Sequence, residues 1–138
     1  MGLSSKISDV TEQRSMTTVA QVLNQSNGPT YSFEFFPPKT EQGTSNLMQA
    51  VEELEPLKPD FVSVTYGASG TNRDRTLGVT VELAKRSNLR VIGHITCTAQ
   101  SVDEVKRAID AYGEAGIRNI LAIRGLSLIH ISEPTRPY

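Results

Sequence analysis

Tryptophan is missing from this chain of 138 residues, and cysteine and histidine are nearly so: Cys97, His94 and His130 are all there is. One thiol excludes an internal disulfide framework and fits a reducing compartment, so a cytoplasmic location is expected. His94, Cys97 and His130 form no metal-ligand spacing, and no metal is expected. Neither sign of charge prevails, with 14 basic against 15 acidic residues. Bulk charge therefore points to no nucleic acid and no anionic membrane as partner. No apolar run approaches the ~20 residues that cross a bilayer, and the polar N-terminus lacks a signal-peptide core. Lys6 stands where a myristoylation motif after Met1-Gly2 wants Ser or Thr. A phosphate-binding P-loop and a serine-nucleophile elbow are absent as well. What remains is a chain long enough for one domain with a core of its own.

What is present begins with Tyr31-Ser-Phe-Glu-Phe-Phe-Pro-Pro38. It reads as a strand with Tyr31, Phe33 and Phe35 on one face and Ser32, Glu34 and Phe36 on the other. Pro37 and Pro38 end it, because neither can donate a ladder hydrogen bond. A carboxyl group flanked by phenylalanines is poorly solvated and tends to keep its proton, which suits a general acid. An edge-strand Glu facing solvent is the plain alternative.

The polar segment 1–29 is read as an N-terminal extension with a disordered first dozen residues. It carries one short helix, from about Thr17 to Asn27, on Val19, Val22 and Leu23. After the first strand, Leu47, Ala50, Val51, Leu54 and Leu57 recur at helical spacing behind a Thr44 or Ser45 cap. Phe61–Tyr66 is a second strand, followed by a loop from Gly67 through Arg75. Thr76 is expected to cap the next helix, with Leu77, Val81 and Ala84 inward. Arg90–Cys97 is the third strand. Ser101-Val-Asp-Glu104 is a capping box opening a helix that keeps Val102, Val105, Ile109 and Tyr112 on one side, with Gly116 at its end. Asn119–Gly125 is the fourth strand.

Strands alternating with helices imply parallel pairing through right-handed crossovers. Near each strand's C-terminal end stands one polar residue, Glu34, Thr65, His94 and Arg124, at intervals of 31, 29 and 30 residues. On the same face two positions earlier lie Ser32, Ser63, Ile92 and Ala122, while Phe33, Phe35, Val62, Val64, Leu121 and Ile123 fall on the other. A tight lumen on one side and apolar helices on the other would produce that pattern. In β/α barrels the strands' C-terminal ends form the active-site mouth. An open doubly wound sheet more often shows a glycine fingerprint where this chain has Pro37-Pro38. The expected fold is α/β, a (β/α)8 barrel of TIM type, of which the chain covers about the first four βα units.

Glu34 is the candidate catalytic acid. His94 is placed to contact a cofactor or tune a proton, although a strand histidine is more often a hydrogen-bonded core residue. Gly67 to Gly70 with Arg73 and Arg75 could hold a phosphate-bearing ligand, against an ordinary loop in which Arg73, Asp74 and Arg75 pair in solvent. Arg124-Gly125 admits close approach of a flat ligand, against a structural Arg–carboxylate pair. Cys97 reads as a small buried residue.

With these residues assembled, the chain resembles the N-terminal half of methylenetetrahydrofolate reductases. The likeness rests on Ser32-Phe-Glu-Phe-Phe-Pro-Pro-Lys39, Phe61-Val-Ser-Val-Thr-Tyr-Gly67 with Arg73-Asp-Arg-Thr76, Gly93-His-Ile-Thr-Cys97, and Gly116-Ile-Arg118 to Arg124-Gly125. It covers about residues 30–125. The resemblance implies a β/α barrel carrying FAD, reduced by NADH or NADPH, that passes a hydride to 5,10-methylenetetrahydrofolate and yields 5-methyltetrahydrofolate. It implies that Glu34 protonates a folate nitrogen as the five-membered ring opens. It also implies that Thr65, Tyr66, Ala68, His94, Arg124 and Gly125 line the flavin site, and that a full-length member is a homo-oligomer.

Leu126 departs from the resemblance, which puts an aspartate there. Residues 126–138 match nothing expected of the family and are read as a foreign tail on a shortened chain, with a genuine alternative C-terminus as the other reading. Such a chain is expected to be inactive alone. Two other readings stay open: a different β/α-barrel enzyme binding a phosphate-bearing ligand, and a non-catalytic α/β module. The former lacks a strand-end lysine for Schiff-base chemistry.

Overall fold

The computed structural model describes residues 17–66, 73–98 and 100–123. Eight elements alternate: α1 (Val19–Gln25), β1 (Ser32–Phe35), α2 (Glu41–Leu54), β2 (Phe61–Val64), α3 (Arg73–Arg86), β3 (Val91–Thr96), α4 (Val102–Glu114) and β4 (Asn119–Ile123). A single 3-10 turn, Glu55–Leu57, follows α2. The four strands form one sheet in the order β1-β2-β3-β4, and every pair is parallel.

That order settles the architecture. A doubly wound sheet reverses direction at a switch point and places helices on both faces. Here each strand joins the next in sequence, and one apolar cluster gathers Met48 and Val51 of α2, Val79 and Leu83 of α3, and Tyr112 of α4. The same cluster holds Val62, Val64 and Val91 from the sheet. All three crossover helices therefore cover one face, and among the described residues no helix covers the other, the open face. This is the α/β architecture of the opening units of a β/α barrel. Val62, Val64, Leu83 and Tyr112 are fully buried, and each such side chain contributes about 1.5–3 kcal/mol.

Several expected boundaries and faces shift for identifiable reasons. Thr40, not Thr44 or Ser45, caps α2: its hydroxyl accepts the Gly43 N–H at 3.0 Å. The helix therefore starts a turn earlier than a Thr44 or Ser45 cap would place it. Likewise α3 begins at Arg73, so Thr76 lies inside the helix and is fully buried rather than capping it. The inward stripe of α3 is Thr76, Val79, Thr80 and Leu83, with Leu77, Val81 and Ala84 packed at its margin. Helix α4 opens on the expected capping box, where Ser101 and Glu104 hold each other's backbone N–H groups. It buries Ala108 and Tyr112, while Val102 and Ile109 are exposed. Gly116 closes it with a φ of 81°, a conformation that glycine adopts without strain.

The N-terminal ends of the strands are tied together by polar contacts. Arg90 Nε donates to the Thr17 carbonyl at 3.0 Å, and its guanidinium also reaches the Asp60 carbonyl. Asp60 in turn accepts the Tyr31 N–H at 2.8 Å. The Asn119 side chain accepts the Val19 N–H at 2.9 Å, anchoring α1 to the start of β4 across 100 residues. This end of the sheet is fastened, which leaves the opposite end for chemistry.

Candidate active site

The open face can be read from the strand register, because residues side by side in a parallel sheet share a face. Glu34 lies beside Ser63, Ser63 beside Ile92, and Ile92 beside Asn119, so these four form one row. Two residues further along their strands stand Thr65, His94 and Leu121, on the same face. The helix-covered face carries Phe33, Val62 and Val91 in register.

On β1, β2 and β3 the expected division of faces is observed. On β4 it is reversed. His94 is in register with Leu121 and Ile95 with Ala122, so Leu121 and Ile123 belong to the open face and Ala122 to the helix side. The four-residue run Ile120 to Ile123 is apolar throughout, and its alternation gives no contrast from which to count.

Three of the sequence-predicted site residues meet. Thr65 Oγ1 donates to Glu34 Oε1 at 2.7 Å, and His94 Nδ1 stands 4.0 Å from that same oxygen. The cluster is graded in exposure: the His94 side chain is 6 % exposed and that of Glu34 is 53 %. Glu34 is thus open to an incoming molecule rather than wedged between Phe33 and Phe35. Burial lowers the pKa of His94 below its ordinary value, and the neighbouring Glu34 charge partly restores it. The imidazole is accordingly neutral near pH 7.

The Thr65 hydroxyl bonds Oε1, which leaves Oε2 free to meet an incoming molecule. The arrangement is that of a carboxyl group held in one orientation, reachable from the lumen, with a neutral histidine behind it. Five buried polar side-chain atoms among the described residues lack a hydrogen-bond partner: His94 Nδ1 and Thr96 Oγ1 on this face of β3, and elsewhere Arg73 Nε, Thr76 Oγ1 and Asn119 Nδ2. Unpaired buried polar atoms cost free energy unless a ligand or water meets them.

Tyr66 does not join this cluster through its side chain. Its hydroxyl accepts from Gln100 Nε2 at 3.1 Å, in a cleft of 390 Å³ between α3 and α4 shared with Arg73, Glu104 and Arg107. Only its backbone adjoins Thr65. Arg73 and Arg75 follow neither expected course. Arg73 donates to the Thr98 carbonyl at 2.9 Å and Arg75 to the Lys39 carbonyl at 2.7 Å, so the start of α3 is stapled to the loops on both sides. Cys97 is exposed, not buried: the strand ends at Thr96 and releases it. Ala68, Arg124, Gly125 and the 126–138 segment lie outside the described residues, as do Gly67 to Gly70 and the first dozen residues.

Among the described residues no group of three or more His, Cys, Asp or Glu could hold a metal ion. No helix there is long and apolar enough to cross a membrane. Sequence reasoning missed Thr96 and gave Tyr112 only a packing role; as shown below, Tyr112 bonds the backbone of His94. A signal was available, since Gly93 is the one small residue on a strand face otherwise made of valine and isoleucine.

A singly wound parallel sheet with a carboxyl, a hydroxyl and an imidazole grouped on the face its helices leave open has the architecture of the first units of a β/α barrel. Comparison with known proteins narrows the class: residues 18–134 match the family model described as methylenetetrahydrofolate reductase. The chain is 43 % identical over 94 residues to a 5,10-methylenetetrahydrofolate reductase of Pectobacterium carotovorum, covering 68 % of this chain and 32 % of that protein. It is 42 % identical over 108 residues to the protein of the same name from Salmonella typhimurium, covering 78 % and 36 %. A plant protein, methylenetetrahydrofolate reductase (NADH) 1 of Arabidopsis thaliana, is 37 % identical over 95 residues, 69 % of this chain and 16 % of the relative. The chain belongs to the methylenetetrahydrofolate reductase family. It spans about a third of the length of these bacterial relatives and about a sixth of the plant one.

Proposed function

We propose that this chain supplies the first four βα units of a flavin-dependent methylenetetrahydrofolate reductase, in which NADH or NADPH is the reductant and 5,10-methylenetetrahydrofolate the substrate. The relatives' names support the substrate, and those of the Arabidopsis and maize proteins specify NADH. The observation that carries the reading is the Glu34 carboxyl, held by Thr65 and backed by His94 at the C-terminal end of the sheet.

Glu34 is the general acid, delivering a proton from Oε2 to a folate nitrogen. Thr65 fixes its rotamer. His94 and Thr96 offer unpaired polar atoms toward a bound FAD, together with the Tyr66 backbone and, from residues outside those described, Ala68, Arg124 and Gly125. When bound, FAD supplies the hydride that the protein itself cannot. The residues around it orient the reactants and place the proton.

The test is a chimera in which residues 17–123 replace the corresponding segment of the Salmonella relative. Retained yellow colour, NADH or NADPH oxidation and folate reduction are expected. Glu34→Gln in that protein should abolish folate reduction while sparing flavin reduction by the nicotinamide. Equal loss of both half-reactions would remove Glu34 from the role of acid.

A further inference from the structure

Behind the polar cluster, on the helix side of β3, Tyr112 occupies an unusual seat. Its ring packs directly against Gly93: a Cβ at that glycine would stand 2.7 Å from Cε2 and 2.8 Å from Cδ2. Its hydroxyl donates to the backbone carbonyl of His94 at 2.9 Å. The residue is fully buried. Two consecutive residues of β3 are therefore gripped from behind, one by ring contact and one by its carbonyl. Since successive strand side chains point to opposite faces, the imidazole leaves β3 on the lumen side from the very backbone that Tyr112 holds.

We propose that Tyr112 is a positioning residue for the candidate active site: seated on Gly93 and bonded to the His94 carbonyl, it sets the separation between the His94 imidazole and the Glu34 carboxylate. Solvent access to the imidazole is set by the same grip. The consequence for folate chemistry rests on the function proposed above, but the geometric claim concerns this chain alone. Glu34 is the charged group facing His94 among the described residues, so its influence on the His94 titration reports their separation.

The experiment is an imidazole ¹⁵N NMR titration of this chain without flavin or folate. His94→Gln distinguishes the His94 resonances from those of His130. Four forms are compared: the parent, Glu34→Gln, Tyr112→Phe and the double variant. Glu34→Gln should lower the His94 midpoint in the parent, and that displacement should shrink by at least half in the Tyr112→Phe background. An equal displacement in both backgrounds, with Tyr112→Phe changing only the unfolding temperature, would overturn the proposal and leave Tyr112 a packing residue. No displacement in the parent would overturn it too. Should Tyr112→Phe fail to fold, Gly93→Ala decides: it keeps the phenol but pushes the ring off its seat on β3. A smaller Glu34→Gln displacement there supports the proposal, and an unchanged one rejects it. Failure of the chimera to reduce folate would leave these titrations intact, so the two claims fail separately.

Discussion

The Thr65 hydroxyl donates to Glu34 Oε1 at 2.7 Å across the β1–β2 pair, although register places Glu34 beside Ser63. The carboxylate thus reaches one step toward the strands' C-terminal ends, away from its own level and toward the mouth. Hydrogen bonds to a charged group contribute ~1.5–3 kcal/mol, and each 1.36 kcal/mol is tenfold in rate. Thr65→Val in the chimera is therefore expected to slow folate reduction by roughly 10- to 100-fold. Thr65→Ser, which keeps the hydroxyl, should recover most of it. Stopped-flow measurement of the folate half-reaction reads both, and a Val variant as fast as the parent would dismiss the bond as incidental.

Burial of His94 makes its protonation unfavourable in the folded chain, so its pKa falls below the ordinary 6.5. The unfolded chain then takes up this proton first as the pH drops. Its contribution to stability is complete above about pH 6.5 and is lost progressively as pH falls from there toward the folded value. Urea unfolding between pH 7.5 and roughly pH 5 should show that decline, and His94→Gln should flatten it. A slope identical in the two proteins would assign the decline to other groups.

Tyr112 titrates in the opposite range. Burial lifts its phenol from 10.0 to about 12, so the folded chain holds a proton that the unfolded chain has released. The associated stability is present below pH 10.0 and drains away as pH rises toward about 12. Alkaline unfolding followed by circular dichroism should start earlier in the parent than in Tyr112→Phe, measured relative to each protein's stability at pH 8.

Gly93 has a requirement that its sequence neighbourhood only half reveals. A methyl group there would overlap a ring that is fully buried and tied by its hydroxyl, so neither side can yield cheaply. Overpacking of this kind costs about 1–3 kcal/mol. For a chain of this size that corresponds to a fall in Tm of roughly 2–8 °C per kcal/mol. Thermal unfolding of Gly93→Ala checks it, and the double variant Gly93→Ala with Tyr112→Leu should regain part of the loss.

Most of the fold was legible because one βα unit repeats every 29 to 31 residues, and because Val62 and Val64 alternate cleanly with Ser63 and Thr65. The meeting of Glu34, Thr65 and His94 followed from that alternation. Three features did not follow. Helix starts were misplaced at Thr44 and Thr76 because several Thr and Ser residues can cap, and tertiary context chose Thr40 for α2. The faces of β4 were reversed because Ile120, Leu121, Ala122 and Ile123 offer no polar residue to fix the phase. Arg73 and Arg75 looked like ligand-binding cations, whereas backbone carbonyls one loop away take them. No local pattern announces a bond across 25 or 36 residues.

Among the described residues, β1 pairs only with β2 and β4 only with β3, so each outer strand presents an unpaired ladder edge. The β4 edge is also apolar: Ile120, Leu121 and Ile123 are 42 %, 47 % and 40 % exposed. On β1 the neighbouring Tyr31 and Phe36 are exposed too. Open edges of this composition recruit further strands, and an apolar patch around them adds a driving force that hydrogen bonding alone lacks. The isolated chain is therefore expected to self-associate, with a weight-average mass that rises with concentration in sedimentation equilibrium. Leu121→Lys should weaken that association, because a charge on an edge strand opposes edge-to-edge pairing. The same substitution at Val102, exposed on the first turn of α4 rather than on a strand, should change little. A parent chain that stays monomeric to high concentration would show that its edges are covered.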